Sequence, residues 1–190
     1  KEDLLRSFEK KFMLFFTDKG KVFLLKVYEI PQAGRVSRGK AIVNLLNLSS
    51  DENISAILPV REFKDTKYII MATRNGIIKK TPLTAYSNPR VNGIIAINID
   101  DGDRLISVRL TDGTQDIFLG TKSGKSIRFK EAQVRSMGRV ARGVKGIKLS
   151  KDDELVGMEI INNDTAILAV TENGFGKRTK GSEYRAQSRG

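Results

Sequence analysis

The sequence predicts an all-β chain of repeated four-stranded blades, a propeller-like architecture, on three observations. Four segments share one layout, in which an apolar run meets a tight turn with glycine and continues as a second alternating run. They are FMLFFTDKGKVFLLKV (12–27), YIIMATRNGIIKKTPL (68–83), DIFLGTKSGKSIRFKE (116–131) and AILAVTENGFGKRTKG (166–181). In all four a threonine (Thr17, Thr73, Thr121, Thr171) stands three residues before the turn glycine (Gly20, Gly76, Gly124, Gly174). No helical period of 3.6 competes over any long window. Asn75-Gly76, Ser123-Gly124 and Asn173-Gly174 supply positive φ and suit two-residue hairpin turns.

Residues 1–10 open the chain as the last strand of a preceding blade, because Asp3, Leu5 and Ser7 echo Asp103, Leu105 and Ser107. Three complete blades are expected at 11–66, 67–114 and 115–164. In each, the hairpin is followed by glycine, an alternating strand, an acidic turn and another strand. VNGIIAINIDDGDRLISVRL aligns in this way with ARGVKGIKLSKDDELVGMEI, and more loosely with SRGKAIVNLLNLSSDENISAIL. Residues 165–190 repeat only the first half of the unit, so the chain is expected to be cut within a blade at both ends. Evenly spaced strands also build a sandwich, but a sandwich does not explain why a pattern of about 50 residues restarts each time. Four antiparallel strands per restart is the pattern of a propeller blade.

Composition narrows the function. The 190 residues contain neither cysteine nor histidine, which excludes thiolate metal sites and removes the commonest general base. No apolar run is long enough to span a membrane. No catalytic constellation is present; GFGKRTKG lacks the spacing of a phosphate-binding loop, and the DDGD at 100–103 corresponds to ordinary polar turns in the other units. No cofactor or metal is expected. The formal net charge of +12 points to a polyanionic partner, nucleic acid or an anionic membrane surface.

That charge is concentrated. Residues 121–148 hold nine basic side chains against Glu131 alone, and residues 174–190 hold five against Glu183. The acidic residues fall on the later turns, so a ring of blades presents a basic belt and a separate acidic one. In KSIRFK, alternation turns Ile127 and Phe129 inward and Arg128 and Lys130 to solvent. The candidate phosphate contacts are Arg35, Arg38, Lys40, Lys79, Lys80, Arg90, Lys125, Arg128, Lys130, Arg135, Arg139, Arg142, Lys145, Lys177, Arg178, Arg185 and Arg189. Such a belt contacts phosphates along a curved path, so bound duplex bends, with little dependence on sequence and much on salt. Charge reversal at Arg135, Arg139 and Arg142 together is expected to weaken it. Tyr86 and Tyr184 stand where Ile30 and Val134 stand in other units, which makes them core or loop anchors rather than base-stacking platforms.

RGKAIVNLLNL, GRVARGVKGIKL and TENGFGKRT closely resemble the C-terminal domain of the A subunit of bacterial DNA gyrase, and the similarity runs through essentially the whole chain. The resemblance implies a six-bladed β-pinwheel, a propeller variant whose neighbouring blades exchange strands. It implies that duplex DNA wraps on a basic rim and that ATP-driven strand passage introduces negative supercoils. The cleaving tyrosine, ATP and Mg2+ then belong elsewhere in an A2B2 complex of gyrase polypeptides, cytoplasmic and associated with the nucleoid. Gln187, Arg189 and Gly190 match the first, third and fourth positions of the family's glycine- and arginine-rich box, with Ser188 at the second. By its place this stretch resembles a degenerate box of the fifth blade, while the principal box lies upstream of residue 1; weak wrapping by these residues alone is expected. The homologous domain of topoisomerase IV, which selects DNA geometry, and a propeller acting only as a protein scaffold are the alternatives.

Overall fold

The computed structural model describes residues 11–32, 39, 41–88 and 90–190. Among them there is no α-helix; short strands are linked by turns and single 3₁₀ turns. Residues 1–10, including the strand expected there, lie outside the described residues, as do Arg35, Arg38 and Lys40.

The apolar runs form hairpins as the sequence predicts. Strands β1 (Phe12–Thr17) and β2 (Lys21–Lys26) pair antiparallel, as do β4 (Tyr68–Thr73) with β5 (Ile77–Pro82) and β8 (Asp116–Thr121) with β9 (Ser126–Lys130). The fourth hairpin joins β12 (Ala166–Val170) to β13 (Gly176–Lys180). One device closes all four. The threonine carbonyl accepts the glycine N–H at 2.9–3.0 Å, and its hydroxyl accepts the N–H of the residue after the glycine at 3.1–3.3 Å. This accounts for the threonine–glycine spacing.

The turn differs from the two-residue type expected from the Asn-Gly dipeptides. In each hairpin only the glycine has positive φ, near +80°, and it is the last residue of the turn, so the connection is a three-residue loop ending in a glycine bulge. The threonine hydroxyl favours the longer loop because it satisfies the amide that follows the bulge. At Gly20 a Cβ would also lie 2.5 Å from the Ile97 carbonyl oxygen, which leaves room for glycine alone.

The second half of each unit divides between two sheets. The strands β3 (Ile54–Val60), β7 (Leu105–Thr111) and β11 (Leu155–Ile161) pair with the first strand of their own hairpin. By contrast, the two-residue strands β6 (Ile94–Ile95) and β10 (Val144–Lys145) pair with β2 and β5 of the preceding unit. The resulting sheet orders are β3-β1-β2-β6, β10-β5-β4-β7, β11-β8-β9 and β12-β13. This is the strand exchange of a β-pinwheel. In the first unit the corresponding stretch forms a 3₁₀ turn at Ile42–Asn44 instead of the expected strand. The described residues offer it no preceding sheet, and Leu46 packs with Phe15 and Phe23 on the outer face of β1 and β2.

The main cores lie between sheets. Ile69 and Met71 of β4 pack with Leu14, Phe16 and Tyr86 toward the first sheet, while Ile70 and Ala72 pack with Ile117, Leu119 and Phe129 toward the third. A strand buried on both faces reads as the unbroken run YIIMA. Each fully buried aliphatic side chain contributes roughly 1.5–3 kcal/mol, so the apolar contacts that stabilise a sheet are largely contacts with its neighbours. Side-chain hydrogen bonds join the inner strands as well, from the Ser55 hydroxyl to the Leu105 carbonyl and from Ser107 to Met158. With β3, β7 and β11 on the inside, the exchanged β6 and β10 form the outer edge. The basic loops lead into them.

Candidate nucleic-acid interface

After each second strand the chain makes a 3₁₀ turn, at Val27–Glu29, Leu83–Tyr86, Glu131–Gln133 and Gly181–Glu183. From the second and third of these it crosses the outer edge to reach β6 and β10 beside the preceding hairpin turn. Tyr86 and Val134 fix the start of these loops by complete burial. Tyr86 donates to the Ala96 carbonyl at 3.3 Å, and Tyr184, at the same place in the last unit, meets Phe118 edge-on. Both tyrosines are anchors, as expected from the repeat.

The acidic turns dock on the hairpin tips. Asp103 accepts the Asn75 N–H at 2.9 Å and Asp153 the Ser123 N–H at 2.9 Å, while in the first unit Asp18 accepts the Asn53 N–H. The hydrogen bond from the Ser123 hydroxyl leads the causes that hold Asp153 at about 2. These carboxylates therefore close each blade at its tip, away from the start of the basic loops.

The sequence-predicted cations separate into distinct groups. Lys79, Lys80 and Arg128 are buried, which removes them from any outer surface and corrects the expectation that these strands turn their charges to solvent. The reason lies in the stacking. Both faces of β5 and β9 are covered by neighbouring units, so alternation selects between neighbours rather than between core and water.

Arg128 bonds Asp116 across the hairpin through Nε at 2.7 Å and reaches the Asn163 side chain and the Gly181 carbonyl of the last unit's 3₁₀ turn. Burial acts to raise the Asp116 carboxyl, but hydrogen bonds from Lys130 and Arg128 outweigh it and the net shift is downward. Lys80 lies 3.9 Å from the buried Glu131 carboxylate and over the Tyr68 ring.

Lys79 places its amine on two carbonyls of the rim, Ala96 at 2.5 Å and Arg139. Burial, aided by the Arg139 charge, pushes it down to about 7 from 10.5. The folded protein therefore releases this proton near neutrality, while the unfolded chain keeps it until about pH 10. The group's contribution is least favourable below its folded pKa and improves as pH rises toward its unfolded one. Urea unfolding is expected to show stability rising by about 2 kcal/mol between about pH 7 and about pH 9. Lys79→Met should flatten that rise; an unaltered profile in the variant would assign the titration to another group.

A second group is exposed or half-buried but engaged. Lys125 donates to Ser150 at 2.6 Å, Lys130 pairs with Asp116 at 2.7 Å, and Arg142 forks onto Asp100 with its Nε at 2.7 Å from both oxygens. Arg139 donates to the Ile95 carbonyl at 2.8 Å, and Arg189 donates to Lys145 and Gln133 carbonyls. In the box-like stretch, the Gln187 carbonyl accepts from the Gln133 side chain and the Arg189 N–H donates to it. The Gln187 and Gly190 amides donate to the Arg128 and Gly146 carbonyls.

The third group is exposed and has no side-chain partner among the described residues: Arg90, Arg135, Lys145, Lys177, Arg178 and Arg185. Lys148, counted in the basic segment but not chosen as a contact, joins it. Gln133 was missed altogether, because a single glutamine in a polar loop carries no signal of a partner some 50 residues away.

Comparison with known proteins agrees with this arrangement. Residues 11–61, 67–112, 115–162 and 165–190 match the family described as DNA gyrase C-terminal domain, beta-propeller. The DNA gyrase A polypeptide of Salmonella typhimurium is 51% identical over 177 residues, 93% of this chain and 20% of that protein. A solved C-terminal domain of DNA topoisomerase IV superposes with a TM-score of 0.88 at 33% identity, covering 95% of this chain and 57% of that one. A solved DNA gyrase A C-terminal domain superposes at 0.79 with 27% identity, covering 94% and 57%. The chain thus spans about a fifth of the length of the curated gyrase polypeptide it matches.

Proposed function

Because the chain belongs to the DNA gyrase C-terminal domain family, we propose that it binds duplex DNA without sequence preference and bends it along the outer edge of its blades. The observation that supports this reading is the recurrence, at the outer edge of successive units, of exposed cations without a side-chain partner among the described residues. They are Arg90 in the second unit, Arg135, Lys145 and Lys148 in the third, and Arg185 in the fourth, whereas Lys177 and Arg178 stand at the repeat positions of the buried Lys79 and Lys80. Phosphates are the ligand that matches such a row. Lysine and arginine at stepped positions neutralise successive charges of a backbone without reading its bases. In the parent protein this edge would present wrapped DNA to the strand-passage machinery of a type IIA topoisomerase, with the remainder of gyrase A, together with gyrase B, as partners. ATP-dependent negative supercoiling is the reaction it would support.

The fit to the topoisomerase IV domain favours a second reading, in which the edge selects DNA geometry without wrapping. Ligation of nicked circles in the presence of the protein separates the two, since only wrapping alters the linking number.

The primary test is a duplex-binding titration over salt. If the five cations each engage a phosphate, log affinity should fall against log salt with a slope of about −4.5. Equal affinity across salt would instead support a protein-binding scaffold.

A further inference from the structure

Arg139 and Arg189 occupy equivalent places in successive units, and both turn back from solvent onto main-chain carbonyls. Arg139 donates to the carbonyl of Ile95 in β6, and Arg189 to that of Lys145 in β10. Each acceptor is the last residue of an exchanged strand of the preceding unit. The same two loops are tied to the preceding sheet by main-chain bonds, Met137 N–H to Lys80 at 2.8 Å and Gln187 N–H to Arg128 at 2.9 Å. Two independent loops thus build one joint from one residue type at one place. In the same loops and strands stand exposed cations without a side-chain partner among the described residues, Arg135 at the first joint and Lys145 and Arg185 at the second.

We propose that Arg139 and Arg189 are positioning residues of the rim, which pin each loop to the exchanged strand contributed by the preceding unit and so set the angle between successive blades. The box-like Gln187–Gly190 stretch is then a seam between blades, with Gln133 as its counterpart. DNA lying across the edge takes its curvature from that angle, while its affinity comes from the free cations on either side. For its DNA readout the inference rests on the reading of the edge as a duplex-binding surface.

The test uses two double variants of the whole chain, Arg139→Lys with Arg189→Lys and Arg139→Gln with Arg189→Gln. Lysine keeps the charge and loses the planar fork that holds a carbonyl at this reach. End-to-end energy transfer on a short labelled duplex reports bending, and the salt titration reports phosphate contacts. The lysine pair should lose transfer toward the value of free duplex, and the glutamine pair should keep the wild-type salt slope. Amide exchange at Met137 and Gln187 should accelerate in both pairs without DNA. Wild-type bending in the lysine pair would overturn the proposal. So would a salt slope shallower by about 0.9 per arginine in the glutamine pair, the mark of direct phosphate contact. Unchanged exchange at the two amides would overturn it as well. A wild-type protein whose binding ignores salt would instead remove the duplex-binding reading, and the exchange measurement would still decide the joint.

Discussion

Replacing Arg128 by alanine is expected to lower unfolding free energy by about 3 kcal/mol and to leave the salt dependence of DNA binding unchanged. The side chain is only 8% exposed, and it ties Asp116 to the Gly181 and Tyr184 carbonyls and to Asn163. Removing one member of a buried pair leaves the other charge without compensation, at a cost of roughly 3–5 kcal/mol. Lys130 still reaches Asp116 at 2.7 Å, which places the effect at the low end. In a chain of this size the shift corresponds to a melting temperature lower by roughly 10 °C. The last hairpin should also lose protection from amide exchange, because two of the bonds lost, to the Gly181 and Tyr184 carbonyls, are its own unit's hold on the third sheet. A variant with wild-type melting and a shallower salt slope would return Arg128 to the surface as a phosphate contact.

Neutralising Arg135, Lys145 and Lys148 together, each to glutamine, should produce the opposite pattern. All three are exposed and without side-chain partners among the described residues, so stability should stay within about 0.5 kcal/mol per site. If each contacts one phosphate, the slope of log affinity against log salt should become shallower by about 2.7. At low salt, where counterion release is strongest, the affinity lost should be largest; near 1 M salt, variant and wild type should converge. Equal losses at every salt concentration would point to a change of shape rather than of charge. The triple reversal expected from sequence alone, at Arg135, Arg139 and Arg142, is a less clean experiment. Arg139 holds a strand and Arg142 holds Asp100, so reversing them would alter the scaffold and the charge together.

The repeat, its hairpins and the anchoring role of Tyr86 were legible in the sequence because each rests on local chemistry repeated several times. Threonine, glycine and an apolar run suffice to specify a closed hairpin, and four copies in register make the reading secure. Lys79 and Arg128 were misread because strand alternation shows that two faces differ without showing that one is wet. In a stack of sheets both faces meet protein, and a charge buried there is marked only by its partners. Those partners, Asp116 across the hairpin and the carbonyls of Ala96 and Arg139 across the loops, are separated from it in sequence. The exchange of β6 and β10 was not legible in strand length or spacing either, since a two-residue strand has no period; it entered through the resemblance.

That exchange also determines how the molecule carries mechanical load. On the proposed reading, a taut duplex lying on the outer edge would pull on the loops that enter β6 and β10. Covalently those loops belong to one unit, but their strands are hydrogen-bonded into the sheet before it. Tension applied at one loop is therefore shared by two adjacent blades, one loaded along the chain and the other in shear across its outermost strand. Peeling a single blade from its neighbours requires both attachments to fail. The rim is thus reinforced where a wrapped polymer would pull on it.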